Sequence, residues 1–286
     1  MTDGIPLLPP KPNALRELFA KPKPLIGVIH LAPLPGAPRY RGQPMEGIYV
    51  AAAEDARRLT EGGVDGIIVE NAFDLPFARP EDIGPETVAA LTAACQAARQ
   101  ATRLPLGITC VANGAIPAMA VAKAVGGRWV RVNQWANAYV ANEGLLNGPA
   151  GQALRFRSRL FAEDVFVFAD VDVKFGAHAI TADRDIEEQT RDLEFFDADA
   201  VIVTGQRTGS PTAKGDVERV KAATSLPVLV GSGLDAGSAY ELLAVADGAI
   251  VGSALKEDGQ WWRPVDQRRV AQLVAEVERA RDALRS

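Results

Sequence analysis

The sequence predicts an α/β chain folded as a single (β/α)8 TIM barrel, and three observations favour that fold class. Short apolar runs alternate with amphipathic stretches along nearly the whole chain, as in parallel strands joined by helices. The length of 286 residues suits one barrel of this kind. The last two apolar runs both end in Gly-Ser turns, which is where such barrels often bind a phosphate.

Eight apolar runs are predicted to be the barrel strands. Each run is short, rich in Val, Ile and Leu, and followed by glycine or a polar residue, which is typical of buried parallel strands. The runs cover residues 25–29, 67–69, 106–111, 129–132, 165–173, 201–203, 227–230 and 249–251.

Helices are predicted between these strands from apolar residues at helical spacing. The first, residues 45–62, places Ile48, Ala52, Ala56 and Leu59 on one face. Further helices are predicted over residues 115–125, 151–161, 186–196, 217–223 and 266–284. An apolar stripe between residues 88 and 98 predicts another helix, and a helix of about two to three turns is predicted after residue 233. Residues 134–148 are predicted to be a long polar loop.

The chain is predicted to divide into a proline-rich N-terminal arm, residues 1–24, and the barrel, residues 25–286. The arm carries six prolines and no apolar run of the kind found in secretory signals. We therefore expect the arm to be extended and to cover the floor of the barrel.

Composition and charge argue against several classes of function. The formal net charge of −5 and the absence of a long basic run argue against a nucleic-acid partner. No apolar stretch is long enough to span a membrane, and two cysteines are too few for a disulfide framework or a thiolate zinc site. We expect a cytoplasmic homo-oligomer without an integral membrane segment.

The two glycine turns after the last strands are predicted to bind phosphate. Glycine lets a ligand approach the backbone closely, and the first turn of a following helix offers unpaired N–H groups and the positive end of its dipole. The candidate phosphate-binding residues are Gly231, Ser232, Gly233, Gly252 and Ser253. The alternative is that both are ordinary tight turns that bind nothing.

The fifth predicted strand, VFVFADVDVK, carries three ionisable residues on one face. Alternation along a strand places Phe166, Phe168, Asp170, Asp172 and Lys174 on the inward side. Buried charges are costly unless they are paired or take part in chemistry, so this pattern predicts either a salt-bridged mouth or a catalytic centre.

Polar residues at the other strand ends complete the candidate site. Glu70 follows a run of Ile and Val, and Arg131 has the spacing expected of a partner for a buried carboxylate. Cys110 is expected to lie in the core rather than act as a nucleophile. The candidate catalytic residues are Glu70, Asp170, Asp172, Lys174 and His30, and the candidate substrate-binding residues are Asn71, Asn133, Arg131 and Thr204.

Seven segments resemble the BtpA family over about residues 25 to 275. They are IGVIHLAPLPGAPRY (26–40), VDGIIVENAFDLPF (64–77), VRVN (130–133), Asp-Val-Asp-Val-Lys (170–174), VTGQRTGSPT (203–212), VGSGLDAGS (230–238) and VGSALKEDGQWW (251–262). The resemblance implies a phosphate-binding TIM barrel of the ribulose-phosphate-binding-like type. The family is named for a role in photosystem I biogenesis in cyanobacteria, but it also occurs in organisms without photosystems.

Two segments depart from the pattern of that family. Where the family has Phe-Gly-Asp after Glu-Asn, this chain has Ala72, Phe73 and Asp74. Lys and His are commonly adjacent on the fifth strand of the family, whereas here Lys174 and His178 are separated by Phe-Gly-Ala. The second departure argues against a histidine-dependent role at this strand.

Three functions are compatible with these residues. The first is an isomerase, epimerase or lyase acting on a small phosphorylated metabolite, with Glu70 or Asp170 as the base and Lys174 polarising a carbonyl or forming a Schiff base. The second is a non-enzymatic assembly or stability factor. The third is a hydrolase that uses a divalent metal held by Glu70, Asp170 and Asp172; no other cofactor is predicted.

Overall fold

A closed barrel of eight parallel strands confirms the predicted fold class. The computed structural model describes residues 9, 11–205, 207 and 210–284. Its strands are β1 (Leu25–His30), β2 (Gly66–Glu70), β3 (Leu106–Thr109), β4 (Trp129–Val132), β5 (Ala138–Ala141), β6 (Gly144–Asn147), β7 (Phe166–Val171), β8 (Ala200–Val203), β9 (Val228–Val230) and β10 (Gly248–Val251). The order around the barrel is β1, β2, β3, β4, β7, β8, β9 and β10, which pairs again with β1.

Each barrel strand is followed by a helix, as predicted. The helices are α1 (Ala14–Leu18), α2 (Met45–Gly62), α3 (Pro85–Ala101), α4 (Ala115–Val125), α5 (Ala150–Arg159), α6 (Ile186–Phe195), α7 (Lys214–Ala223), α8 (Ala239–Leu243) and α9 (Gln267–Ala283). Of these, α8 is shorter than expected, with five residues. Among the described residues, no helix is long and apolar enough to cross a membrane.

The segment predicted to be a loop, residues 134–148, contains the antiparallel hairpin of β5 and β6. Its Tyr139 and Leu146 are buried in a small cluster with Ala112 and Val173. The prediction was wrong because these few apolar residues stand among polar ones. The hairpin packs against loops that follow β3 and β7, at the carboxyl end of the barrel.

The floor of the barrel is closed by aromatic rings. Trp129 stacks on Phe168 with ring centroids 5.6 Å apart, and Phe19 meets Trp129 edge to face, also at 5.6 Å. A Cβ at Gly107 would lie 2.1 Å from the Trp129 ring, so glycine makes room for the indole. With the floor filled, a ligand can enter the barrel only from the carboxyl end of the strands.

The segment before β1 is partly helical rather than extended. Residues 1–8 and 10 of the predicted arm lie outside the described residues, as do residues 285–286. Residues 14–18 form α1, whose N-cap Asn13 accepts hydrogen bonds from the N–H groups of Leu15 and Arg16. Leu15 and Leu18 are buried in the same cluster as the floor aromatics.

Candidate active site

Polar side chains from four neighbouring strands form one row inside the barrel. In the register of the sheet His30 pairs with Glu70, and Glu70 pairs with Thr109. Thr109 in turn pairs with Arg131. Residues paired in a parallel sheet face the same side, and Arg131 lies two positions after the inward-facing Trp129. The row therefore lies above the aromatic floor and faces the mouth.

Arg131 and Asp170 form the buried ion pair that alternation predicted. The Arg131 Nε donates to Asp170 Oδ1 at 2.9 Å, and Nη2 donates to Oδ2 at 2.8 Å. The Asp170 side chain is 0% exposed and that of Arg131 is 6% exposed. Because both carboxylate oxygens accept from the guanidinium, the geometry favours a positioning role for Asp170 over the predicted role of base.

Glu70 is the carboxyl of this row, and it forms no ion pair or side-chain hydrogen bond with any other described residue. It interacts with Arg131, Lys174 and Asp170 through space, without a hydrogen bond to any of them. Burial raises the pKa of Glu70, and it outweighs the two cations, which favour the charged form. A raised pKa makes the carboxylate a stronger base, which suits it to proton transfer.

The alternation predicted for residues 166–174 ends earlier than expected. Strand β7 stops at Val171, and Asp172 has a φ of 47°, so the chain leaves the inward row there. The Asp172 side chain is 42% exposed, and its Oδ1 lies 3.4 Å from His178 Nε2. Asp172 therefore does not join Asp170 in the barrel mouth, and its predicted catalytic role lacks the expected geometry.

Lys174 lies beside the buried charges although the strand has ended. Its electrostatic neighbours are Arg131, Glu70 and Asp170. Burial, followed by the Arg131 charge, lowers the pKa of Lys174 and outweighs the two carboxyls. The predicted close pairing with a carboxylate is not formed with any described residue, so the amine is left for a ligand.

His30 is held in one tautomer by a distant loop. Its Nδ1 lies 2.8 Å from the carbonyl oxygen of Trp261. Since a carbonyl only accepts, Nδ1 carries the hydrogen and Nε2 keeps a lone pair. Burial, with a smaller effect of Lys256, lowers the pKa of His30 to about 3. The imidazole is therefore neutral at pH 7 and can accept a hydrogen bond through Nε2.

The loop between β10 and α9 brings an aromatic wall to the mouth. Asp55 holds both ends of this loop: its Oδ2 lies 3.2 Å from Lys256 Nζ, and its Oδ1 accepts from the N–H of Val265 at 2.9 Å. Within the loop, Trp261 stacks on Phe73 with ring centroids 4.7 Å apart. Sequence reasoning missed Trp261 because nothing local links it to the first strand.

Thr109 is a second residue that sequence reasoning missed. Its side chain is buried, and its Oγ1 has no hydrogen-bond partner among the described residues. Side chains alternate between the two faces of a strand, so the sequence of β3 could have shown that Thr109 faces inward and Cys110 outward. Asn133, two residues after Arg131, is half-buried and has no side-chain hydrogen bond within the described part of the chain.

Asn71, predicted to orient a substrate, holds the backbone instead. Its Nδ2 donates to Asp74 Oδ2 at 2.8 Å and to the Val111 carbonyl at 3.3 Å, and its Oδ1 accepts from the Val111 N–H at 2.8 Å. Both amide hydrogens are thus used within the protein. Thr204 stays at the mouth, where its Oγ1 accepts from the backbone N–H of Lys174 at 3.2 Å.

Gly231 contributes space rather than a free N–H group. Its N–H donates to the Val203 carbonyl at 2.8 Å, so the prediction that this group is unpaired was wrong. A Cβ at this position would lie 2.3 Å from Ile202 Cγ2 and 3.3 Å from Arg131 Nη2. Glycine therefore lets the guanidinium lie directly against the end of β9.

The other turn residues have unpaired backbone N–H groups within the described part of the chain, as predicted. Ser232, Gly233, Gly252 and Ser253 have no backbone partner for these groups among the described residues. Ser253 begins a three-residue 3-10 helix immediately after β10. The helix after β9 begins only at Ala239, so the dipole expected next to Gly233 is not provided there.

The carboxylates of the metal hypothesis do not converge. Asp170 is bound to Arg131, and Asp172 is turned toward His178. Within residues 9, 11–205, 207 and 210–284, no group of three or more His, Cys, Asp or Glu could hold a metal ion. Cys110 lies in the core between barrel and helices, as expected, and burial raises its pKa to about 12.

The closed barrel of eight parallel strands, filled at its floor and polar at its mouth, is a (β/α)8 TIM barrel. Its fold is shared with (S)-3-O-geranylgeranylglyceryl phosphate synthase of Thermoplasma acidophilum, with a TM-score of 0.59, 16% identity, and 93% of this chain and 97% of that chain covered. It is also shared with thiamine phosphate pyrophosphorylase of Pyrococcus furiosus, with a TM-score of 0.54, 16% identity, and 90% and 96% covered.

The chain belongs to the BtpA family, whose model matches residues 21–279. An uncharacterized protein of Pyrococcus furiosus is 39% identical over 261 residues, which are 91% of this chain and 97% of that protein. The photosystem I biogenesis protein BtpA of Synechocystis is 36% identical over 261 residues, which are 91% of this chain and 90% of that protein. These matches confirm the resemblance found in the sequence motifs.

Proposed function

We propose that the chain is an enzyme that acts on a small phosphorylated metabolite, a sugar phosphate or nucleotide-like compound, by acid–base isomerase, epimerase or lyase chemistry. The observation that carries this proposal is Glu70, a mouth carboxyl that has no bonded partner among the described residues and whose pKa is raised by burial. It stands beside a guanidinium that is held in place by Asp170. An acid–base group next to a fixed cation is the arrangement that proton transfer beside a carbonyl requires.

The phosphate would be held by backbone N–H groups on one side of the mouth. Among the described residues, the N–H groups of Ser232 and Gly233 after β9, and of Gly252 and Ser253 after β10, have no backbone partner. The two enzymes that share the fold have names that contain a phosphate compound, which supports this reading. Such N–H groups bind a phosphate without a dedicated positive side chain.

The reacting carbons would then lie over the barrel centre. Glu70 would remove a proton from a carbon next to a carbonyl, and Arg131 and Lys174 would stabilise the oxygen that becomes negative. His30 Nε2 would accept a hydrogen bond from a substrate hydroxyl, and the Asn133 amide would orient another. Among the described residues, Glu70, Lys174 and Asn133 form no side-chain hydrogen bond that would compete with the substrate.

Lys174 allows a covalent version of the same chemistry. With its lowered pKa, the neutral amine could add to a carbonyl carbon and form an imine with loss of water. Borohydride trapping with ketose and aldose phosphates distinguishes the two versions, because reduction of an imine leaves the sugar carbon bonded to Lys174 Nζ. A Lys174 that remains unmodified supports the electrostatic version.

Hydrogen exchange with solvent tests the proposed reaction class and does not require an identified substrate. The protein is incubated in D2O with a mixture of phosphorylated metabolites, and mass spectrometry detects any compound that gains deuterium. We expect exchange with the wild type and at least about a hundredfold slower exchange with Glu70→Gln. Glu163→Gln, at an exposed position before β7, is the matched control and should exchange like the wild type.

A second function, that of a non-enzymatic assembly or stability factor, is favoured by the name of the Synechocystis relative. Such a factor would use its outer surface and would have no need of an unpaired carboxyl in the barrel mouth. It predicts no deuterium incorporation into any phosphorylated compound and no effect of Glu70→Gln. That outcome would replace the enzymatic proposal.

A further inference from the structure

The centre of the mouth holds more hydrogen-bond donors than the protein can satisfy. Arg131 uses Nε and Nη2 for Asp170, and its Nη1 has no acceptor among the described residues. Among the same residues, the ammonium of Lys174 has no carboxylate partner and the Oγ1 of the buried Thr109 has no hydrogen-bond partner. Buried or half-buried donors without acceptors are costly, so they indicate a ligand that supplies acceptors.

Two basic side chains in this part of the mouth share one bound carboxylate. Both oxygens of Asp170 accept from Arg131, and Lys174 forms no ion pair with any described residue. A ligand carboxylate would supply acceptors to both basic groups, and the flat fork of the guanidinium suits two coplanar oxygens.

The donor cluster is separate from the turns that are proposed to hold phosphate. Its members come from β3, β4 and the segment after β7. The free N–H groups come from the turns after β9 and β10. The two groups of donors meet at Gly231, where Arg131 Nη2 lies 3.3 Å from the position that a Cβ would take. A single small molecule can therefore reach both.

We infer that the substrate carries a carboxylate in addition to its phosphate, and that Arg131, Lys174 and Thr109 bind this carboxylate. The substrate class is a phosphorylated sugar acid or keto acid rather than a neutral sugar phosphate. This inference rests on the proposed function, because it takes the phosphate to be bound at the glycine turns.

Calorimetric titration with matched probes tests the inference. The probes are 3-phosphoglycerate and sn-glycerol 3-phosphate, which share the phosphate but differ in the carboxylate, together with glycerate, which lacks the phosphate. The six-carbon acid 6-phosphogluconate covers a longer spacing between the two groups. We expect the phosphorylated acid to bind at least about tenfold more tightly than glycerol 3-phosphate.

Three variants assign the effect to named side chains. Lys174→Met should remove most of the preference for the acid and leave the affinity for glycerol 3-phosphate within about twofold of the wild type. Thr109→Val keeps the shape of the side chain, should fold at least as stably because the unpaired hydroxyl is gone, and should weaken the preference. Lys123→Met, an exposed lysine on α4, is the control and should leave both affinities unchanged.

Equal affinity for the acid and for glycerol 3-phosphate would overturn the inference. So would a Lys174→Met variant that weakens both probes alike, since the cations would then bind the phosphate itself. A wild type that binds glycerate as tightly as 3-phosphoglycerate would overturn the proposed phosphate site but support the carboxylate site. Failure of every probe to bind would overturn both.

Discussion

At the scale of single residues, burial decides what each charged group in the mouth can do. Arg131 and Asp170 form a two-pronged ion pair in which both side chains are buried. Burial raises the pKa of Glu70, which makes its carboxylate a stronger base, and it lowers the pKa of Lys174, which makes the neutral amine easier to form. The ion pair is therefore the fixed part of the site and the other two groups are the reactive part.

Asp170→Asn should destabilise the protein strongly. The change leaves the Arg131 charge buried without a counter-charge, which typically costs about 3–5 kcal/mol. Urea unfolding of the two proteins measures this difference. The surface pair of Arg279 and the partly exposed Glu276 provides the control, because Glu276→Gln should cost no more than about 1 kcal/mol. Similar small losses in both variants would show that the pair at the mouth is not buried as described.

Glu70→Gln should make the free energy of unfolding less dependent on pH. Because burial raises the pKa of Glu70 in the folded state, the wild type is favoured while the carboxyl is protonated and loses stability as pH rises from about 4 through the raised value. Gln has no such cost, so the variant should be more stable at pH 7 and the advantage should vanish near pH 4. Denaturant unfolding at several pH values measures the difference in stability between the variant and the wild type. A difference that grows as the pH falls would contradict a raised pKa for Glu70.

At the scale of elements, the alternation of side chains along the strands predicted the part of the site that lies within strands. It failed where the strands end. This alternation correctly placed Phe168 and Asp170 on the inward face, but it could not show that β7 ends at Val171. The Asn71 network depends on loop backbone that meets only in three dimensions. The contact of His30 with Trp261 joins residues 231 positions apart, so no local pattern predicts it.

A pair of substitutions at Asp172 tests where β7 ends. Its φ of 47° lies in the left-handed region, which Asn tolerates and a β-branched residue does not. Asp172→Val should therefore be about 1–2 kcal/mol less stable than Asp172→Asn, although valine is the better strand former. Thermal unfolding of the two variants measures the difference. A more stable valine variant would show that the strand continues through Lys174.

At the scale of the whole molecule, the two ends of the barrel differ in composition. The floor is filled by rings and by the segment before β1, while the mouth carries every candidate for chemistry. Alternation of strands and helices was enough to predict this architecture, since buried parallel strands are apolar throughout. The part of the segment that packs under the barrel was harder to predict, because α1 is only five residues long.

Phe19→Ala tests the contribution of the floor to the stability of the molecule. Phe19 is 6% exposed and packs on Trp129, so the truncation leaves a cavity under the barrel. We expect a loss of about 3–5 kcal/mol in the free energy of unfolding. The control is Phe161→Ala, at a side chain that is 82% exposed, which should cost less than about 1 kcal/mol. Equal losses would contradict the proposed packing of the floor.

We propose that the turns after β9 and β10 hold the phosphate of a substrate. The most direct test of this proposal is calorimetric titration of the protein with sn-glycerol 3-phosphate and inorganic phosphate. Ser253→Asp places a negative charge at the turn after β10, and Gly233→Val places a side chain within 2.4 Å of Ser210 and Pro211. The controls are Ser158→Asp on the exposed side of α5 and Gly126→Val, whose glycine has a similar φ of 68° but open space around it.

We predict that the wild type and both controls bind the phosphorylated probe, and that Ser253→Asp and Gly233→Val bind it at least about tenfold more weakly. Unchanged affinity in Ser253→Asp and Gly233→Val, in proteins that remain folded by circular dichroism, would contradict the claim that these turns bind the phosphate.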